Sequence, residues 1–201
     1  QHHSAHPPGD LESPLLIQLN HPRGIQFGPN KPHRHEVHGL FEDTQFNPHK
    51  PLNQQVDARL RERGAMGGTV LDVDAIEVLN RFSVEGWRLV RADWFALLNR
   101  GHQLTATGNS DSHTSQLEPV GFPVNLVNLG GGSGVDGVLD GLREGRVRVS
   151  SGPIVSLIVR GNGQSFGPSK AIHSLGSAPT VEVALEAADW VDVPEVRVVV
   201  N

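Results

Sequence analysis

The sequence predicts an α/β chain, with a layer or barrel of alternating strands and helices over residues 1–151 and a β-rich module over 152–201. Two observations carry this. Between residues 15 and 151, short apolar runs alternate with stretches of helical period, the pattern of a parallel α/β layer. After Gly152 the helical period stops, and only β-rich runs divided by Gly, Ser and Pro loops follow.

Taken in order, residues 15–19 (LLIQL) read as a buried strand between turn residues, ending in Asn20-His21-Pro22-Arg23-Gly24. Residues 24–52 are rich in Pro, Asn, Gly and His and have no clear period, which predicts a long loop. Residues 53–63 fit a short polar helix closed by Gly64, and residues 73–79 (VDAIEVL) the next strand. Trp87, Val90, Trp94, Leu97 and Leu98 then recur on one stripe of an amphipathic helix, with Gly101 where a C-terminal cap belongs. Residues 103–107 form a third expected strand and 122–129 a fourth. Val135, Val138, Leu139 and Leu142 mark a second long helix, and 147–149 a short strand. In the β-rich module the expected strands are 154–159, 181–185 and 196–200.

Composition narrows the function classes. The apolar fraction is 37%, with 23 Gly and 14 Pro, so loops are plentiful without reaching low complexity. The formal net charge is -5 and no dense basic run occurs, so no nucleic-acid surface is expected. No apolar run is long enough to span a bilayer, so no membrane partner is expected either. The chain has no cysteine, which excludes disulfides, thiolate metal sites and cysteine nucleophiles. It begins at Gln1 without an initiator Met and stops inside the pattern of 196–200. Both ends are therefore expected to be truncated, which leaves localisation unreadable.

Of 11 histidines, His2, His3, His6, His21, His33, His35, His38 and His49 fall within the first fifty residues, and most suit a polar loop. His33-Arg-His35 is an H-x-H without a strand to fix it, and His35-Glu-Val-His38 lacks the spacing of the zinc-protease helix. The stretch from Gly108 to Ser112 is not a nucleophile elbow, because Ser112 stands where its second Gly belongs. Gly130–Gly134 lacks the Lys of a phosphate loop.

The candidate chemistry lies at three strand ends: His21, Glu77, and the pair Asp111 and His113. In α/β barrels, sites are built at the C-terminal ends of strands. A carboxylate and an imidazole suit zinc, manganese or iron. If 111–113 stays extended, both side chains share a face and can address one ion; Asn-Ser-Asp-Ser is also ordinary turn chemistry. Glu77 interrupts an apolar strand, where a carboxylate is costly to bury without a partner. Arg23, just past His21, suits an anionic substrate group, or equally a salt bridge.

Residues 17–23 (IQLNHPR), 75–80 (AIEVLN), 106–113 (ATGNSDSH) and 141–153 (GLREGRVRVSSGP), in this order, resemble the polymerase-and-histidinol-phosphatase (PHP) superfamily. The nearest branch is that of the carbaryl-hydrolase-like (CehA/McbA) metallohydrolases. The resemblance covers roughly residues 15–200, and Ser-Asp-Ser-His is its most specific part. It implies the C-terminal part of a distorted (β/α)7 barrel around two or three divalent ions. His21, Asp111 and His113 would be metal ligands, and Asp111, His113 and Glu77 the catalytic set. Asn20 and Arg23 would face a small-molecule substrate. The implied reaction is hydrolysis of an ester-type bond, phosphoester or carbamate/carboxylester, by a metal-activated water. The family opens with an H-x-H on its first strand. None stands in that context here, so the resemblance places it ahead of Gln1 and gives this chain half of a metal site. The rival expectation is a non-catalytic module that recognises a sugar or a partner protein.

Overall fold

The computed structural model describes residues 15–24, 39–63, 68–81, 84–114, 116 and 120–200. His2, His3, His6, His33, His35 and His38, and Gly64 as a helix stop, lie outside the described residues. Helices and strands alternate through much of the chain, as the α/β class requires. The chain divides into two compact units, residues 1–78 with 83–104, and residues 79–82 with 105–201. The boundary expected at Gly152 lies inside the second unit.

In the first unit, β1 (Gln18–Leu19) pairs in parallel with β2 (Ala75–Asn80), Gln18 opposite Ala75 and Leu19 opposite Ile76. Ala75, Ile76, Glu77 and Val78 are all buried, so both faces of this part of β2 are covered. Both-sided burial is normal for a parallel strand and explains its nearly continuous apolar run. The segment expected as one long loop contains α1 (Leu40–Asp43). Next comes α2 (Gln54–Leu60), capped by the Asn53 side chain, which accepts from Val56 N at 2.8 Å. Then α3 (Val84–Leu98) buries Val90, Asp93, Ala96 and Leu97. Phe41, Ile76 and Leu97 are fully buried, and the Phe41 and Phe46 rings lie 4.9 Å apart.

Asp93 shares the buried face of α3 and has no exposure. Arg23 answers it with two hydrogen bonds, Nε at 2.7 Å and Nη2 at 2.5 Å. The same Nη2 donates to Phe46 O at 3.0 Å, and the guanidinium lies 5.7 Å from the centre of the Phe41 ring. Burial pushes the Asp93 carboxyl above its ordinary value, and the Arg23 bonds offset only part of that. Gly39 packs directly on the turn that carries Arg23. A Cβ there would lie 2.5 Å from Pro22 O and 2.6 Å from Arg23 C.

The second unit contains β3 (Thr105–Asn109), β4 (Val124–Val127), α4 (Gly134–Arg143) and β5 (Val147–Ser150). It continues with β6 (Ile154–Gly161), β7 (Gln164–Phe166) and β8 (Thr180–Glu186). Two expectations are corrected here. First, β4 and β5 pair antiparallel, not parallel. The connection between them closes on itself: Asn128 N donates to Arg146 O, and Arg146 Nε to Asn128 O, each at 2.9 Å. With both ends of the α4 excursion pinned together, the chain must return against its first direction. Second, residues 196–200 form no strand. Val196, Val198, Val199 and Val200 are 49–84% exposed, because alternation in sequence makes a strand only where a ladder partner is met. The other β-rich runs form an antiparallel sheet in the order β7-β6-β8.

β3 packs against β4 and β5 through Gly108. The Asn125 side chain clamps the Gly108 backbone from both sides, accepting from N at 2.9 Å and donating to O at 2.8 Å. A Cβ on Gly108 would stand 2.5 Å from Val149 Cγ1 and 2.9 Å from Pro123 Cγ.

Two stability measurements check these contacts. Urea unfolding of Arg23→Ala is expected to show a loss of about 3–5 kcal/mol, because it strands a buried carboxylate. A loss under about 1 kcal/mol would mean that the pair behaves like an exposed one. Gly108→Ala is expected to lose about 1–3 kcal/mol by overpacking against Val149 and Pro123. An unchanged midpoint would show that the neighbouring side chains yield freely.

Candidate functional site

His21 and the pair Asp111 and His113 sit just beyond a strand, where the backbone leaves its ladder through a residue with positive φ. His21 has φ 47°, Arg81 52° and Asp111 47°. None is glycine, and the left-handed region costs an L-residue roughly 1–2 kcal/mol. Such conformations persist only where neighbouring bonds hold them, and they cluster at functional positions.

In the first unit His21 and Glu77 come together. Glu77 stands in the middle of β2, with only 3% exposure. Its Oε2 accepts the His21 backbone N–H at 2.8 Å, and His21 Nδ1 lies 3.2 Å from the same oxygen. The carboxylate that interrupts the apolar strand therefore has the partner its burial demands. Arg23, two residues on, is held by Asp93 as described, so the salt-bridge alternative describes its position. Asn20 is exposed and accepts from Gln18 Nε2 at 2.5 Å.

In the second unit Asp111 and His113 come together with Arg81. The positive φ of Asp111 corrects the expectation of an extended 111–113, since the backbone turns instead of alternating. The side chains meet all the same, with His113 Nε2 3.8 Å from Asp111 Oδ1. Arg81 Nη2 donates to Asp111 O at 2.8 Å and lies 3.3 Å from Asp111 Oδ2 and 2.8 Å from His113 Nδ1. His113 Nδ1 is also 2.7 Å from Asp111 O. Arg81 is itself placed by its backbone N–H, which donates to Asn109 O at 3.1 Å. The guanidinium thus ties the strand exit together on the Nδ1 and Oδ2 side, and the Nε2 and Oδ1 atoms lie on the other.

These residues fit a metal ion in donor type and spacing. The one carboxylate and one imidazole of Asp111 and His113, without thiolate, suit zinc, manganese or iron. Two ligand atoms each about 2.1 Å from an ion stand at most about 4.2 Å apart, so the 3.8 Å between Oδ1 and Nε2 allows both to hold one ion. Among the described residues, no group of three or more His, Cys, Asp or Glu side chains stands as a metal cluster.

Two residues escaped the sequence reading. Asp93 falls between Val90 and Leu97 on the expected buried stripe, so helical spacing alone could have exposed it as a buried acid in need of a base. Arg81 left no such signal, because an arginine after a strand is ordinary. No family model matches the chain, and neither a curated protein nor a solved structure does.

Arg81→Ala removes the charged tie at the β3 exit. A charge-assisted hydrogen bond contributes about 1.5–3 kcal/mol, so amide exchange at Ser112 and His113 should quicken roughly tenfold or more. Unchanged exchange would show that the turn holds without the guanidinium.

Proposed function

We propose that this chain belongs to a metal-dependent hydrolase of ester-type bonds, phosphoester or carbamate/carboxylester, acting on a small-molecule substrate. The observation that supports the reading best is the meeting of Asp111 Oδ1 and His113 Nε2 within 3.8 Å at the exit of β3. The PHP-type barrel that the four sequence stretches resemble is part of the same proposal. Asp111 and His113 would hold a divalent ion, zinc, manganese or iron. When bound, such an ion lowers the pKa of water towards neutrality and polarises the electrophile. Asp111 supplies negative charge, and Arg81 fixes the direction of its carboxylate from the Oδ2 side. By the resemblance His21 is also a ligand, and Glu77 stands beside it. By the same resemblance, the complete centre takes two or three ions and needs the family's N-terminal H-x-H.

A non-catalytic module recognising a sugar or a partner protein is the second reading. The apolar side chains of Val155, Leu157, Val181 and Leu185, 36–47% exposed on β6 and β8, favour it.

An ester and phosphoester panel with added zinc or manganese separates the readings. The 201-residue chain should bind zinc weakly, since by the resemblance it lacks the family's first-strand H-x-H, and turn over little substrate. A longer form that includes the H-x-H should be active. Asp111→Ala should lower that activity by about 10²-fold or more, through loss of a ligand with its charge. Turnover that ignores Asp111→Ala would overturn the assignment.

A further inference from the structure

One oxygen of Glu77 serves His21 twice. Oε2 accepts the His21 backbone N–H at 2.8 Å, and the ring Nδ1 stands 3.2 Å from it. Neither end of this contact is loosely placed. Glu77 is 3% exposed and flanked along β2 by the buried Ile76 and Val78. The parallel register sets Leu19 opposite Ile76, which brings the β1 exit alongside position 77. The His21 side chain is 28% exposed, so most of the ring is packed.

The chemistry of the pair is directional. A carboxylate oxygen that accepts from the ring calls for the imidazole proton on Nδ1. With the proton of a neutral imidazole on Nδ1, the lone pair is on Nε2, the form in which a histidine takes a metal ion. The backbone bond from the same oxygen holds His21 at φ 47°, and so fixes where the ring starts as well as how it faces. A carboxylate placed behind the far nitrogen of a ligating histidine is a recognised means of setting tautomer and orientation.

We propose that Glu77 is a positioning residue, which sets the tautomer and direction of His21 so that Nε2 is its ligating atom. The use of that atom rests on the metal-hydrolase reading above. The tautomer assignment does not, and it replaces the expectation that Glu77 acts directly in catalysis.

The test is the long-range proton–nitrogen spectrum of the histidine rings in the metal-free full chain, recorded where the rings are neutral. His21 should show the Nδ1–H form. Glu77→Met removes the acceptor at similar volume and should return the ring to the Nε2–H form common in free histidine. Glu77→Asp, whose carboxylate stops one methylene short, should do the same and serves if the methionine variant does not fold. Zinc titration of the same proteins should show affinity falling about 10–100-fold in these variants, with no further loss when they are added to His21→Ala. An Nε2–H ring in the unmodified chain, or an Nδ1–H ring that persists in the variants, overturns the proposal. An Nδ1–H ring that follows position 77 while zinc binds none of these proteins upholds the positioning role, and counts against the metal reading alone.

Discussion

Asp93 is the most demanding side chain in the first unit. It occupies the inner face of α3 beside Val90 and Leu97, with no exposure. A carboxylate in that place must be neutralised or paired, because isolated burial costs several kcal/mol. The base that answers it comes from the turn after β1, seventy residues earlier. Arg23 is therefore both a counter-ion and a tether. It fastens the β1 exit to α3, touches Phe46 O, and lies over the Phe41 ring. Gly39 packs tightly on the same turn, and Phe41 N donates to Pro22 O there at 2.9 Å.

The candidate histidine inherits its place from that tether. His21 lies two residues before Arg23, and with the turn fixed its N–H reaches Glu77. The strained backbone of His21 is sustained by bonds on both sides: its N–H goes to Glu77, and its carbonyl accepts Gly24 N at 2.7 Å. The second unit meets the same problem differently. There Asn125 grips Gly108 within β3, and Arg81 gathers the turn that follows. In both cases a side chain distant in sequence holds a left-handed residue at a strand exit, and a histidine is oriented as a result. Pre-organisation of this kind is what a metal or substrate site requires, since ligands that must be ordered on binding lose affinity.

Much of the element order could be read directly from residues. Helical spacing located α3 and α4, and short apolar runs located β1, β2, β3, β5, β6 and β8, because helix pitch and strand length leave their mark on local sequence. The placement of His21, Asp111 and His113 at or near strand exits was equally visible, whereas Glu77 stands inside β2 and not at the strand end expected of it. Asp93 was legible in principle, as an acid on an apolar stripe.

Strand direction, the fate of residues 196–200 and the company each polar group keeps were decided by tertiary structure. Periodicity is a property of one segment and says nothing about its neighbour. The closure between Asn128 and Arg146 that turns β5 against β4 is a contact across eighteen residues. Val196 to Val200 are valine at every position except Arg197, but a ladder needs an edge to receive it. The left-handed turns at His21, Arg81 and Asp111 have no glycine to announce them. Arg23 has the same local sequence whether it meets a substrate or a buried acid, and the choice fell to Asp93 because α3 carries that carboxylate into the core. The sequence by itself determined which segments are strands and helices and which residues carry chemistry. The fold decided which of those residues meet, because pairing depends on distances that no local pattern encodes.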